Sequence, residues 1–222
     1  SVPLMEALAS SLNVPTVNLG LQVGLEKVVD TLHKLGVQQE IQPYPSLVLG
    51  AVALSPMEVN QMYLTLASEG LYQPLTTVRA VLGSGNQSLY QKDVKAERRV
   101  DARVSYLTLF TMTKVASQGT ARSLAARFPG AILAGKTGTS NDSRDSWFAG
   151  FSQDLLAVVW LGRDDNGKTP FTGATGALQV WTSFMRKADP LPLEAELRAV
   201  CAGAKNIELR LEYLSEAAYD EA

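Results

Sequence analysis

Cysteine, histidine and long apolar runs are scarce in this chain of 222 residues. Cys201 is the only cysteine, which excludes an intrachain disulfide. His33 is the only histidine, so a Ser-His-Asp triad would depend on a residue whose ordinary environment is a solvated helix surface. No apolar run approaches the ~18 residues that a transmembrane helix needs. The chain therefore offers neither a disulfide framework nor a membrane-spanning segment.

Charge is nearly balanced as well. The formal net charge is −2 and the sequence pI is about 5.5, so no broad basic surface is available for nucleic acid, and we expect no nucleic-acid partner. Asp164-Asp165-Asn166-Gly167 begins like a calcium loop but lacks the later ligands, and a tight turn is predicted there. The hydrophobic content of 46% is enough for the core of one substantial domain.

A polar tetrapeptide follows the apolar run 131–135. Lys136-Thr137-Gly138-Thr139 supplies a cation, two hydroxyls and an unhindered backbone on consecutive residues. On a strand at the edge of a sheet, such a set can hold an anionic acyl substrate, and a side chain on Gly138 would block close approach of the substrate backbone. The alternative is an exposed strand end that happens to be polar.

A Ser-x-Asn tripeptide occurs near the amino terminus. Ser11-Leu12-Asn13 follows a predicted helix over Leu4 to Leu12 that ends before Pro15. A helix terminus is a rigid place from which a hydroxyl can relay a proton and an amide can hold a substrate. The second Ser-x-Asn, Ser84-Gly85-Asn86, lies between two strand-like runs and is predicted to be a hairpin turn.

Four segments together resemble one known family. These are Glu6 to Gly20, Leu49 to Val59, Ala134 to Thr139, and Asp145 to Asp164. In order and spacing they are similar to the transpeptidase domain of class A penicillin-binding proteins, particularly the bifunctional 1b type, over roughly the first 190 residues. The resemblance implies an α+β fold of the penicillin-binding protein/serine β-lactamase kind, with helices packed on an antiparallel sheet. We expect residues 1–190 to form this domain and residues 191–222 to form a small appendage with a strand at Ile207 to Tyr213.

One family element is missing from the sequence. The family carries its nucleophile in a Ser-x-x-Lys upstream of the Ser-x-Asn, but only ten residues precede Ser11 and none is lysine. Thr111-Met112-Thr113-Lys114 has similar spacing with threonine, yet it falls within a predicted amphipathic helix, which favours a structural role. We therefore expect the nucleophile to lie upstream of this chain, in a longer polypeptide.

The resemblance implies a D,D-transpeptidase that crosslinks peptidoglycan stem peptides through a serine acyl-enzyme. The residues carried over are Ser11, Asn13 and Lys136 for catalysis, and Lys136, Thr137, Gly138 and Thr139 for substrate binding. No cofactor or metal is implied. The implied partners are stem peptides of the lipid-linked precursor and nascent glycan, β-lactams, outer-membrane lipoprotein activators and division proteins. The implied location is the periplasmic face of the inner membrane, with an upstream anchoring helix, and the full-length parent is expected also to carry a peptidoglycan glycosyltransferase.

Two other functions are compatible with the motifs. A serine β-lactamase shares them but needs a base for hydrolysis, often a glutamate, and no Glu-x-x-Leu-Asn follows Ser11. A non-catalytic sensor or scaffold would explain the missing nucleophile, but it would have no physical need for the intact polar set. The residues preceding Ser1 would discriminate between these functions.

Local patterns predict the remaining elements. One predicted helix covers Leu25 to Leu35 and ends at Gly36, and a second begins at Ser55-Pro56-Met57-Glu58 and ends at Gly70. A third helix is predicted from Asp101 to Gln118, with Val104, Leu107, Met112 and Val115 facing inward. A last helix is predicted to carry Leu178, Trp181, Phe184 and Met185 on one face. The predicted strands are two within Thr76 to Gln91, Trp147 to Phe151 with Trp147 and Phe148 in the sheet core, and Leu155 to Gly162.

Overall fold

The structure, a computed structural model, describes residues 2–193. The helical part of the chain comes mostly before the sheet. The α-helices are α1 (Leu4–Ala9), α2 (Asn13–Val23), α3 (Leu25–Leu35), α4 (Pro56–Ala67), α5 (Ala102–Ser117), α6 (Ser123–Arg127) and α7 (Ala177–Ala188), and two short 3-10 helices cover Pro45–Leu49 and Asn141–Ser143.

The main sheet has three antiparallel strands in the order β5-β6-β7, with β5 at one edge. The strands are β1 (Leu71–Tyr72), β2 (Ala80–Leu82), β3 (Ser88–Gln91), β4 (Glu97–Arg98), β5 (Ala134–Thr139), β6 (Ser146–Phe151) and β7 (Leu156–Leu161), of which β1 pairs with β4 and β2 with β3. In the main sheet the register runs from Ala134 opposite Phe151 to Thr139 opposite Ser146. This arrangement, with helices packed on an antiparallel sheet, confirms the predicted α+β fold class.

One face of the sheet packs against α7. Phe148 of β6 and Trp181 of α7 are fully buried, and their rings meet edge to face with centroids 5.1 Å apart. The Trp181 indole N–H donates to the carbonyls of Gly150 and Ala157, so the polar atom of this large side chain is satisfied inside the core. Helix α7 is thereby held across β6 and β7.

The opposite face of the sheet packs against α4 and α5. Ala134 and Phe151 of the sheet share a buried cluster with Leu109 and Met112 of α5. Helix α5 thus runs beside the edge strand β5, and its carboxyl end brings the following turn close to that edge. The sheet therefore lies between two helical layers, with β5 as its edge strand.

Several local predictions are confirmed. Helix α3 ends at Gly36, which adopts a left-handed conformation with φ of 115°. Helix α4 begins with a complete capping box between Ser55 and Glu58, and Asp101 caps α5 by accepting from the Arg103 N–H. The hairpin around Ser84-Gly85-Asn86 also forms, with β3 over the predicted Ser88 to Gln91, although β2 begins later than the predicted strand start at Thr76. These features depend on contacts within a few residues, which a sequence pattern contains.

The predicted boundary near Pro15 is wrong. Helix α1 ends at Ala9, and α2 begins at Asn13 and continues through Pro15. A proline in the first turn of a helix removes an N–H that has no intrahelical acceptor, so Pro15 fits in the first turn of α2 and does not mark the end of the previous helix.

Three residues predicted to face inward are exposed. Val104 and Leu107 of α5 are 55% and 63% exposed, because a different stripe, which includes Leu109 and Met112, packs against the sheet. Phe184 of α7 is 50% exposed. Trp147 is half-buried against Trp160, whereas Phe148 is a core residue, so the sheet-core prediction holds fully for Phe148 only. The buried stripe of a helix is chosen by its packing partner, which the helical period alone does not identify.

Cys201 lies outside the described residues, and so does the predicted strand at Ile207 to Tyr213. Within residues 2–193, no helix is long and apolar enough to cross a membrane. The same residues contain no cluster of three or more potential metal-ligating side chains.

Candidate active site

Lys136 connects the edge strand to the amino-terminal helices. Its ammonium Nζ donates to Ser11 Oγ at 2.9 Å and to the Thr137 carbonyl at 2.9 Å. Two residues separated by more than a hundred positions in the chain are thus in direct hydrogen-bond contact. Lys136 is half-buried, and desolvation of its charged form lowers its pKa from 10.5 to about 8. The ammonium remains mostly protonated at neutral pH but is easier to deprotonate than a surface lysine.

Ser11 is the residue in left-handed conformation that follows the C-cap residue of α1. The Leu12 N–H donates to the Ala7 carbonyl and the Ser11 N–H donates to the Leu8 carbonyl, the paired bonds of a common helix-ending motif. The residue at the Ser11 position of this motif is usually glycine, and Ser11 has a φ of 55°. The turn directs the exposed Ser11 hydroxyl toward Lys136.

Asn13 lies at the start of α2, two residues after Ser11. Its side chain is exposed, so its amide is accessible to a ligand. The Ser-x-Asn tripeptide thus spans the junction of two helices, with the serine in the turn and the asparagine in the first turn of the second helix.

The threonines of the tetrapeptide project from the other face of β5. Side chains alternate along a strand, so Thr137 and Thr139 point away from the Lys136 side. Thr137 Oγ1 is 2.7 Å from Thr120 Oγ1, and Thr139 Oγ1 accepts from the Gly173 N–H at 2.8 Å. The structure brings Lys136 and Ser11 into contact, whereas the threonine hydroxyls flank the strand edge from the other side.

Gly138 is closely surrounded by protein atoms. A Cβ on Gly138 would lie 3.1 Å from the Trp147 Cβ, and a Cβ on Gly173 would lie 2.6 Å from the Gly138 carbonyl oxygen. Protein packing thus accounts for glycine at Gly173, whereas a side chain at Gly138 would require Trp147 to shift slightly. The predicted role of Gly138, close approach of a substrate backbone, stays a prediction.

Three residues at this edge were not identified by sequence reasoning: Gly119, Thr120 and Gly173. Gly119 directly follows the predicted helix from Asp101 to Gln118, and Gly173 lies in a segment without a clear pattern. A Gly-Thr pair after an amphipathic helix was the one available signal, but its partners lie far away in the sequence.

The other candidates are accounted for by local contacts. His33 Nδ1 is 2.8 Å from the Val37 carbonyl at the end of α3. Thr111 donates to the Leu107 carbonyl within α5, and the Lys114 ammonium lies 5.0 Å from the centre of the Phe110 ring. These contacts agree with structural roles for all three polar residues.

Comparison with known proteins identifies relatives of the chain. Residues 1–169 match the family of the penicillin binding protein transpeptidase domain. The chain is 45% identical to penicillin-binding protein 1B of Escherichia coli (strain K12) over 193 residues, which cover 86% of the chain and 23% of that protein. It is 46% identical to penicillin-binding protein 1B of Vibrio cholerae over 194 residues, 87% of the chain and 25% of that protein. The chain therefore spans about a quarter of the length of these relatives.

Solved structures show the same fold. The crystal structure of penicillin-binding protein 1A from Haemophilus influenzae aligns with a TM-score of 0.79 at 20% identity, covering 84% of this chain and 34% of that one. PonA1 from Mycobacterium tuberculosis, in complex with penicillin V, aligns with a TM-score of 0.72 at 23% identity, covering 86% and 57%. The chain therefore belongs to the penicillin-binding protein transpeptidase domain family, within which it is similar to the class A proteins of the 1B type.

Proposed function

We propose that this chain supplies part of the active site of a D,D-transpeptidase that crosslinks peptidoglycan stem peptides, and that β-lactams acylate the same site. The observation that carries the proposal is the contact between Lys136 Nζ and Ser11 Oγ at 2.9 Å on an edge strand. This contact joins a cation to a hydroxyl that can relay a proton. Serine acyl transfer without a histidine needs such a pair of groups. The nucleophilic serine is proposed to lie in a Ser-x-x-Lys upstream of Ser1.

The proposed reaction has two steps. In the first, the upstream serine oxygen attacks the carbonyl of the penultimate D-alanine, and the terminal D-alanine leaves with a proton on its amine. In the second, the amine of a neighbouring stem peptide attacks the serine ester, which forms the crosslink and releases the serine hydroxyl. Ser11 is proposed to pass the proton toward the leaving amine, and the Asn13 amide is proposed to hold the donor peptide.

Charge stabilisation is assigned to the edge strand. The Lys136 ammonium favours the alkoxide that forms on the serine and attracts the substrate carboxylate. The hydroxyls of Thr137 and Thr139 are proposed to donate to that carboxylate, and the Thr139 N–H to supply one donor of the oxyanion hole. Thr139 Oγ1 already accepts from Gly173, which leaves its own proton available for a ligand.

The setting of the reaction is proposed from the relatives. Penicillin-binding proteins of the 1B type suggest a periplasmic domain held at the inner membrane by an upstream helix, with a glycosyltransferase in the same polypeptide. The partners proposed are the lipid-linked precursor, nascent glycan, lipoprotein activators and division proteins. We propose residues 1–190 as the transpeptidase part and 191–222 as an appendage.

Neither alternative function is favoured. A β-lactamase needs a base that activates water, and no Glu-x-x-Leu-Asn follows Ser11 in this chain. A scaffold does not need a desolvated lysine in contact with a serine hydroxyl, because desolvating a charge costs free energy without improving packing.

Replacing Lys136 tests the proposal in the complete polypeptide. We expect Lys136→Ala to slow penicillin acylation on the order of 10²–10³-fold, because a preorganised charge is lost. The melting temperature should change little, because the lysine lies at a strand edge. Lys34→Ala, at an exposed position of α3, is the matched control and should acylate at the parental rate. Equal acylation by parent and Lys136→Ala would remove Lys136 from the mechanism.

A further inference from the structure

The turn after α5 contacts both elements that carry the site. The Thr120 N–H donates to the carbonyl of Ala9, the last residue of α1, at 3.1 Å. The Thr120 hydroxyl lies 2.7 Å from the Thr137 hydroxyl on β5. Ala9 is two residues from Ser11 and Thr137 is next to Lys136, so one residue bridges the two sides of the Lys136–Ser11 contact.

Gly119 makes this bridge sterically feasible. A Cβ at Gly119 would lie 2.1 Å from the Ala9 carbonyl oxygen and 2.9 Å from the Val115 Cα, both of which are backbone atoms that cannot rotate away. Any larger residue must push the turn away from the end of α1. The close approach of the turn to α1 therefore depends on glycine at this position.

The hydroxyl pair determines where the Thr137 proton points. A threonine hydroxyl has one proton to donate and can accept at its lone pairs. If Thr120 donates to Thr137, the Thr137 proton is free to point from the strand edge toward an anion. If Thr137 donated to Thr120 instead, its proton would be used within the protein and its oxygen would repel a carboxylate.

We propose that Thr120 is a positioning residue that donates its proton to Thr137 and so directs the Thr137 hydroxyl at the carboxylate of the bound substrate or β-lactam. Gly119 allows Thr120 to lie against the carboxyl end of α1, which fixes the position of the Ser11 turn relative to the edge strand. This inference rests on the proposed function for the identity of the ligand. The contact itself is independent of that function.

The first test compares ligands with and without the carboxylate, using the complete polypeptide. Thr120→Val removes the hydroxyl at nearly constant volume, and Thr120→Ser retains it. We expect Thr120→Val to lower the second-order rate of acylation by penicillin G about 10-fold, as for a weakened hydrogen bond to a charged group. Acylation by the penicillin G methyl ester, which is slower in the parent, should change less than 2-fold, and Thr120→Ser should restore most of the rate.

A matched control excludes general damage. Thr108→Val removes a hydroxyl that donates to the Val104 carbonyl within the same helix, α5, and it should leave both rates as in the parent. Thr120→Val acylating penicillin G at the parental rate would overturn the proposal, as would an equal loss of rate with the acid and the ester.

The second test separates this inference from the proposed function. The melting temperatures of Thr120→Val, Thr137→Val and the double variant form a cycle that reports the hydroxyl contact without any ligand. We expect the double variant to lose less than the sum of the two single losses. Additive losses would overturn the bridge even if penicillin acylation is strong. If the losses are non-additive but the parent is not acylated by penicillin, the contact between the two hydroxyls stands and the proposed function is overturned. The carboxylate ligand assigned to Thr137 is then overturned as well.

Discussion

At the scale of the single residue, Ser11 combines an unfavourable backbone with a useful side chain. Its φ of 55° places it in the left-handed region, where a Cβ costs roughly 1 kcal/mol and glycine fits best. A serine occupies this position although a glycine would relieve the backbone. The hydroxyl that it presents to Lys136 gives a physical reason for the exception.

Two substitutions at Ser11 separate stability from activity. Both Ser11→Gly and Ser11→Ala remove the hydroxyl, and we expect each to slow acylation on the order of 10²-fold in the complete polypeptide. Ser11→Gly also relieves the left-handed strain, so its free energy of unfolding should exceed that of Ser11→Ala by about 1 kcal/mol. Urea denaturation and penicillin acylation are the measurements. Equal stability of the two variants would contradict the strained backbone.

The pKa of Lys136 predicts opposite pH trends for activity and stability. In the proposed mechanism acylation needs the ammonium, so its rate should fall as pH rises through about 8, the lowered pKa of Lys136. Lys136→Arg stays charged, and its profile should lack this alkaline limb, whatever its absolute rate. A limb near pH 8 that persists in Lys136→Arg would assign the titration to another group.

The stability trend follows from proton linkage. Between pH 8 and 10.5 the unfolded chain binds a proton at Lys136 that the folded chain has released. The free energy of unfolding contributed by this lysine therefore rises with pH across that window, because the cost of burying a charge is removed. The parent should gain stability relative to Lys136→Met from pH 8 to 10.5, and a falling difference would contradict the direction of the pKa shift.

At the scale of the element, helix α4 depends on its cap. Ser55 Oγ accepts from the Glu58 N–H at 3.2 Å, and Glu58 Oε2 accepts from the Ser55 N–H at 2.8 Å. We expect Ser55→Ala to cost about 1 kcal/mol and to lower the melting temperature by roughly 2–4 °C. Ser68 ends the same helix through its backbone N–H, so Ser68→Ala is the control and should shift the melting temperature less. Equal shifts would show that the capping box contributes nothing measurable.

The elements also differ in how well a sequence pattern predicts them. Helices α3 and α4 were predicted with their caps, because glycine at a left-handed end and a Ser-x-x-Glu start are contacts within one turn. Helix α2 was missed because Pro15 was interpreted as a stop, although it lies in a first turn. The buried stripe of α5 was misjudged because hydrophobic residues occur on more than one of its faces.

At the scale of the whole molecule, the position of the nucleophile is the main prediction. This chain alone should form no covalent penicillin adduct, because Ser11 has no lysine three residues on and no paired base to activate it. A polypeptide extended upstream through a Ser-x-x-Lys should acquire one adduct at the new serine. Intact-mass spectrometry with peptide mapping checks both statements, and alanine at the new serine is the control. A stoichiometric adduct within Ser1 to Ala222 would show that the nucleophile has been misplaced.

Sequence alone was sufficient for the family and the fold class, and it supplied the candidate site residues. The order and spacing of four segments, which include the Ser-x-Asn and the Lys-Thr-Gly, indicate the family, and a pattern of period two or 3.6 indicates strands and helices. The contacts of Lys136 and Thr137 were decided only by tertiary structure. Ser11, Thr120 and Gly173 reach the edge strand from three different segments, and a distance between segments depends on how the helices pack on the sheet. The pKa of Lys136 has the same origin, because desolvation depends on the neighbours that the fold brings to its side chain.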